Sequence, residues 1–535
     1  MGPRAASGAR GVLLVTPQTG GPAARPARAK TRNVARRETD PARRAAFATL
    51  GAVTADDAYA NLVLPRLLRE ARLHGRDAAF ATELTYGTLR GRGTYDAVLA
   101  ACVDRPLADV DPPLLDALRL GAHQLLSMRV PAHAAVDATV DLVRAEVGQG
   151  AAGFANAVLR RVARQDLDAW LGEVAPDPAA DPDGALAVRT SHPLWVVRAL
   201  RDALRFAGRD IGELDRLLSA DNARPPVTLA ALPGLADAAE LRASASAAAV
   251  ADTPDDVPGA APDAGGAPRD APAVSPLAVR IHGIPTDVAA VGQGRARVQD
   301  EGSQLVTLAL AAAPLLGGAD GHGADGGRWL DLCAGPGGKA AVLAALLGVR
   351  RDAGQVPAGA VLVANEVSAH RADLVDVSVS GVLHRWPDLV DVRSADGRDV
   401  GGYEPDAYDR VLVDAPCTGL GALRRRPEAR WRRTPADLVT LGTLQRELLG
   451  SALAAARPGG VVGYVTCSPH PAETGLVVDD VLRGRDDVER LDARAALVAA
   501  TDGRAHDLGA GPDVQLWPHV HGTDAMFLAL LRRRV

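Results

Sequence analysis

Lysine is nearly missing from this sequence. Of 60 lysines and arginines, only Lys30 and Lys339 are lysine. A lysine kept in an ordered region therefore invites a functional reading. Cysteine is scarce too: Cys102, Cys333, Cys417 and Cys467 lie far apart and form no CxxC. That spacing argues against a disulfide framework and against a zinc site, and it suits a reducing cytoplasm. No metal is expected. No run of ~18 uncharged apolar residues occurs, so no transmembrane helix is expected. The N-terminus is basic but lacks the apolar core of a secretory signal. The net charge of -5 gives no global attraction to a polyanion. The charge is segregated, however. Residues 1–44 carry ten basic side chains against Glu38 and Asp40, and residues 424–433 read RRRPEARWRR. Local fields of this kind, not the net value, decide nucleic-acid binding.

What is present changes character along the chain. Residues 1–40 are rich in Gly, Ala, Pro and Arg without periodicity, and read as a disordered basic arm. Residues 41–166 show apolar positions at helical spacing, as in PPLLDALRLGAHQLLSMRV, and predict an all-α bundle. Asp111 before Pro112 and Pro113 marks a helix start. Residues 167–300 predict connecting helices and a small α+β subdomain, in which PPVTLAAL and LAVRIHGIP pair as strands. Within it, residues 243–274 hold almost no large apolar side chain and read as a disordered insertion. From Glu301 to residue 535 short Val/Leu-rich runs alternate with helical stretches. RWLDLC, AVLVANE, DRVLVDAP and GVVGYVTCS each end in a loop. This is the α/β pattern of buried parallel strands with functional residues at their C-terminal ends.

The loop DLCAGPGGKA, from Asp331 to Ala340, follows a strand and opens a helix. Its glycines let a ligand approach the backbone, and the helix N-terminus favours a carboxylate or phosphate. Glu366, at the next strand end, suits ribose hydroxyls, and Asp396 in SADGRD lies where an adenine would sit. The GxGxxG order is absent, and the spacing from Asp331 to Glu366 exceeds the dinucleotide fingerprint. The nucleotide-like ligand is therefore compatible with S-adenosylmethionine, which has one adenosine and no pyrophosphate.

Cys417 in DAPC and Cys467 in TCS also end strands, so both can face one crevice. Cys102, in an apolar helix, reads as a packing residue. Two thiols without a metal suit covalent catalysis on an electron-poor double bond. Thiolate addition at C6 of cytosine makes C5 nucleophilic, and a second thiol can assist release of the adduct. Asp414 can stabilise charge pushed toward N3. Spacing does not decide which thiol plays which part. Arg424, Arg425, Arg426 and Arg430, with Trp431, read as a surface that binds RNA phosphate and stacks on it. The target base must leave its stack, so a single-stranded or loop cytosine is expected.

DLCAGPGGK, DAPCTGLG with RRRPEARW, and TCSPHPAE together resemble the RNA cytosine-C5 methyltransferases with two cysteines. RRAAFATL, ATELTYGTLRGRGTYDAVL and GFANAVLRRVAR resemble the helical RNA-binding domain of the NusB type. QDEGSQL and HGTDAMFLALL fit the same branch, the RsmB/Sun (Fmu) family acting on 16S ribosomal RNA. The resemblance spans residues 41–535 apart from the insertion. It implies a multidomain chain: an all-α NusB-like bundle, a small α+β linker subdomain and a Rossmann-like α/β methyltransferase domain. It implies Cys467 as nucleophile and Cys417 as release base. It implies a cofactor loop of Cys333, Ala334, Gly335, Pro336, Gly337, Gly338 and Lys339, completed by Glu366, Asp396 and Asp414. The cofactor implied is S-adenosyl-L-methionine, and the implied state is a cytoplasmic monomer. Two rival expectations stand beside it: the same chemistry on tRNA, and a NusB-like RNA-binding or antitermination factor with an inactive enzyme domain.

Overall fold

The computed structural model describes residues 39–251, 273–281, 284–317 and 325–535. Residues 39–535 form one compact unit. The basic arm expected over 1–40 falls almost wholly outside the described residues, as does 252–272 of the insertion.

Six helices open the chain: α1 (Pro41–Ala55), α2 (Ala60–Glu70), α3 (Gly75–Cys102), α4 (Pro112–Leu126), α5 (Ala132–Glu146) and α6 (Gln149–Val162). The Asp40 carboxylate caps α1 by accepting from Ala42 N–H at 3.1 Å. Asp111 stands at the cap of α4 as expected, with Pro112 in the first turn, although its side chain makes no capping bond. Leu99, Leu118, Val143 and Leu159 meet in the centre of this bundle. Cys102 is buried among them and fills space, in line with its sequence reading. Four connecting helices follow: α7 (Leu167–Val174), α8 (Pro182–Arg189), α9 (Leu194–Phe206) and α10 (Leu214–Asn222). Val196, Val197, Leu200, Ala203 and Leu204 line one face of α9 at helical spacing. That face packs with Leu420, Leu423 and Trp517, so the connecting helices share a core with the C-terminal half.

A three-stranded sheet comes next. The expected pair forms: β1 (Val227–Ala231) runs antiparallel to β2 (Ala278–Ile281). A third strand, β3 (Ala296–Val298), joins the other edge of β1. It is too short to carry a readable alternation. The insertion is corrected in part. A helix spans Ala238–Ala251, so the first residues of 243–274 are helical rather than disordered. Alanine explains this, because it is the best helix former and needs no core to propagate a turn.

The C-terminal half is an eight-stranded sheet, in the order β10-β11-β8-β7-β4-β5-β6 with β9 on β11. Its strands are β4 (Arg328–Asp331), β5 (Val361–Asn365), β6 (Val390–Arg393), β7 (Tyr408–Asp414), β8 (Ala456–Thr466), β9 (Val488–Leu491), β10 (Val514–Gln515) and β11 (Phe527–Arg533). Strands β4 to β8 are parallel, and β11 is antiparallel to β8. The parallel strands β4, β5, β7 and β8 are largely buried on both faces, whereas the edge strand β6 is only part-buried. The central run VLVAN is accordingly almost continuously apolar. The chain builds β4, β5 and β6 outward on one side, then returns to place β7 and β8 on the other. The carboxyl ends of β4 and β7 flank the switch point, where open α/β sheets bind ligands. Among the described residues no helix is long and apolar enough to cross a membrane.

Candidate functional site

Two loops bring the thiols together. Strands β7 and β8 are parallel neighbours, with Asp414 opposite Val465, so their following residues leave the sheet at one edge. Cys417 Sγ and Cys467 Sγ lie 3.3 Å apart, within hydrogen-bonding range for sulfur. The hydrogen bond between them lowers the Cys467 thiol below its ordinary value. Burial and Asp414 oppose this, while Lys339 and Arg426 assist it. The same bond, with burial, pushes Cys417 well up. Of the pair, Cys467 is the more acidic thiol and Cys417 the less acidic.

Buried polar groups fix the Cys417 loop. Glu473 is fully buried and accepts from Thr418 N–H at 2.7 Å and from the Thr418 hydroxyl. Gln445 donates to Pro416 O at 2.8 Å, and Tyr464 donates to Glu473 O at 2.9 Å. Gly421 N–H donates to Cys467 O at 2.9 Å and closes one loop on the other. A Cβ on Gly421 would stand 2.3 Å from Ala525 O, so only glycine permits this approach. The sequence assigned no role to Glu473 or Gln445. Glu473 lies within TCSPHPAE, and its position beside the second thiol was the available signal.

Beside the thiols lies the glycine-rich loop, between β4 and the helix Gly338–Asp352. Gly337 takes φ +95°, and a Cβ there would lie 2.4 Å from Ser378 Cβ. Ser378 donates to Pro336 O at 2.6 Å, and Ala334 N–H donates to Asn365 O at 2.8 Å. Glu366 is buried and accepts from Gly335 N–H at 3.1 Å and Ser368 N–H at 3.1 Å. Cys333 sits among Asp331, Asp414 and Glu366. Burial first, then these carboxylates, hold its thiol well above the ordinary value, so it stays protonated. Asp396 is only part-buried and is held by Arg398, which also keeps its carboxyl below the usual range. A cavity of about 310 Å³ opens near it, lined by Asn365, Ala395, Arg393, Tyr403 and Tyr408 among others.

Lys339 Nζ pairs with Asp414 Oδ2 at 2.7 Å. Burial alone would lower this lysine, but Asp414 overcomes that and raises it. The retained lysine is thus an ion-pair partner inside the crevice. Asp331, at the end of β4, was read only as the start of the loop. It is 1% exposed, and neither oxygen accepts a well-formed hydrogen bond. Burial, then Asp414, pushes its carboxyl up to about 8, while Lys339 and the Cys333 amide offset this in part. Asp414 and Asp331 stand around the one lysine, while Glu366 pairs with Arg371 at 3.3 Å. An orphaned acid beside a glycine cradle fits a ligand bearing ammonium and sulfonium groups, as S-adenosylmethionine does.

The arginine segment departs from expectation. Arg424 is buried and donates to Asp524 at 2.7 Å, Asp300 at 2.7 Å and Gly522 O at 2.8 Å. Arg425 joins the same two aspartates. Arg430 has no exposed surface and donates to Ser191 O at 3.0 Å and Asn222 Oδ1 at 2.8 Å. Trp431 packs on Gly93 of α3, with the Arg92 guanidinium 5.5 Å from its ring. Glu428 accepts from Ala60 N–H at 3.3 Å, and Arg432 donates to Val53 O at 3.1 Å. Arg430 and Trp431 therefore tie the N-terminal helices to the sheet domain, and Arg424 and Arg425 fasten Asp300 to Asp524, so these four side chains are committed within the protein. The physical reason is that aspartates and open carbonyls distant in the chain supply acceptors for these donors. Arg426 differs. It is exposed, its guanidinium makes no hydrogen bond or ion pair among the described residues, and it lies 5.1 Å from the Tyr59 ring. Among the described residues no His, Cys, Asp and Glu group could hold a metal ion.

Comparison with known proteins adds to this geometry. A family model described as 16S rRNA methyltransferase RsmB/F matches residues 322–532, and a NusB family model matches residues 40–164. Rv1407 of Mycobacterium tuberculosis, named a candidate methyltransferase, is 51% identical over 505 residues, covering 94% of this chain and 99% of the relative. Ribosomal RNA small subunit methyltransferase B of Pseudomonas putida is 30% identical over 458 residues, covering 84% of this chain and 91% of the relative. The crystal structure of PH0851 shares the fold, with a TM-score of 0.69 and 20% identity over 92% of this chain and 99% of that one.

Proposed function

Since the chain belongs to the RsmB/F family of methyltransferases and carries a NusB-family region, we propose that it methylates C5 of a cytosine in 16S ribosomal RNA through a covalent Cys467–C6 adduct. The single observation that carries this reading is the 3.3 Å approach of Cys417 and Cys467 beside the glycine-rich loop. Cys467 Sγ, the lower-pKa thiol, adds to C6 and makes C5 an enamine carbon. Negative charge then builds toward N3, where the Lys339–Asp414 pair holds a proton. S-adenosylmethionine supplies the electrophilic methyl group that C5 takes. Residues 333–339 would cradle that cofactor, Glu366 would hold its ribose and Asp396 would serve its adenine. Once Cys467 is spent in the adduct, Cys417 releases its own proton to solvent. As thiolate it takes the C5 proton, the proton at N3 returns to the Lys339–Asp414 pair, the C6–S bond breaks, and Cys467 leaves as thiolate, so that one proton is released per methyl transferred.

The RNA partner enters from the exposed side of the thiols, where Arg426 stands as an uncommitted cation for a phosphate. A base confined to a duplex does not reach these thiols, so a loop or single-stranded cytosine is the substrate. The enzyme works as a cytoplasmic monomer. The test is methyl transfer from labelled cofactor to naked 16S rRNA, assembled small subunits and tRNA, with the product base mapped. C5-methylcytosine in 16S rRNA is expected. Label confined to tRNA would move the substrate, and no transfer to any RNA would leave only a binding role.

A further inference from the structure

Gln299 closes the three-stranded sheet at the edge nearest the glycine-rich loop. Its N–H donates to Thr228 O at 3.0 Å, and its C=O accepts from Gln304 Nε2 at 3.1 Å, so its backbone is fixed. Its neighbour Asp300 receives Arg424 and Arg425, which pins the same turn to the Cys417 side of the crevice. The side chain is 8% exposed, yet neither Oε1 nor Nε2 has a hydrogen-bond partner. A buried primary amide offers two donors and one oxygen with two lone pairs, and leaving them all unused is unfavourable.

The direction in which this amide points is informative. A Cβ placed on Gly338 would lie 3.7 Å from Gln299 Nε2 and 3.9 Å from Cδ. The amide therefore lies over the first turn of the helix Gly338–Asp352, whose cap residue Gly337 has no side chain to bond the opening N–H groups. Open helix N–H groups with an amide donor above them make a corner for an anion. Asp331, with its unpartnered carboxylate, belongs to the same loop and suits a cation. An anion corner and a cation acceptor on one loop match the two ends of an α-amino acid.

We propose that Gln299 binds the α-carboxylate at the amino-acid end of the cofactor. This rests on the S-adenosylmethionine reading given above. It assigns a cofactor-holding part to a segment that lies outside both family-model matches, which cover residues 40–164 and 322–532. The small sheet is then more than a connector. It presents one amide to the loop that the Rossmann-like domain builds.

Calorimetric titration of the full chain with S-adenosylhomocysteine and with 5′-methylthioadenosine tests this. The second ligand keeps the adenosine and lacks the amino-acid end. Gln299→Leu is expected to weaken S-adenosylhomocysteine roughly tenfold or more, and Gln299→Glu further, because a second carboxylate then faces the first. Binding of 5′-methylthioadenosine is expected to stay within about twofold, because its contacts do not include this amide. Unchanged S-adenosylhomocysteine affinity, or an equal loss for both ligands, would overturn the assignment. So would a ligand-free Gln299→Leu chain that melts well below the parent, since the amide would then be serving the fold. A parent chain that binds neither ligand would instead sink the cofactor reading itself, and this assignment with it.

Discussion

Residues 411–421 and 424–433 are neighbours in the chain, and both look functional as text. The first places a thiol in the crevice. The second turns inward and fastens one half of the molecule to the other. The difference lies in what fixes each segment. In the first, parallel pairing of β7 with β8 forces the residues after Asp414 and Thr466 to emerge together. A local pattern therefore decides the outcome. In the second, the directions of Arg424, Arg425, Arg430 and Arg432 depend on acceptors far away in sequence: Asp300, Asp524, Ser191, Asn222 and Val53. A run of positive charge carries a sign but no direction. The arginines with a buried acceptor within reach take it, and Arg426, left without one, stays exposed beside Tyr59.

This contrast can be broken by substitution. Cys467→Ala is expected to abolish turnover, by at least ~10³-fold, with little change in melting temperature. Arg430→Ala is expected to do the opposite. Removing a buried guanidinium that serves Ser191 O, Asn222 and Asp221 O costs roughly 3 kcal/mol of stability in chemical denaturation. Turnover of the fraction still folded should stay within a few-fold of the parent. If Arg430→Ala left stability intact and weakened RNA binding, the segment would be an RNA surface after all. Arg426→Gln sharpens the comparison with a smaller effect. It should lower RNA affinity a few-fold and reduce the salt dependence of binding by about one phosphate contact. It should also raise the pH at which Cys467 is alkylated, because the lost cation no longer favours the thiolate. An unchanged salt slope would remove Arg426 from the RNA path.

Much of the site could be read in the sequence, because strand ends in a parallel sheet converge by geometry alone. Cys417, Cys467, Asp414 and Glu366 are side chains of that kind, and Lys339 opens the helix that follows β4. The helical half was legible from period, and β1 with β2 from apolar runs between turn residues. What escaped was non-local. Strand β3 is three residues long and gains its identity only from β1. The helix Ala238–Ala251 rests on alanine propensity, which an argument from core burial overlooks. Asp331 and Gln299 stand out only once burial removes water from groups that look ordinary in text.

The central claim is that a bond forms between Cys467 and the pyrimidine and that Cys417 is needed to break it. Incubating the Cys417→Ala chain with 16S rRNA and S-adenosylmethionine, then resolving the mixture on a denaturing gel, tests it most directly. A protein–RNA species that survives denaturation, absent from the parent and from a Cys417→Ala/Cys467→Ala double variant, is the predicted result. Accumulation of that species in Cys467→Ala, or in neither single variant, would contradict the account.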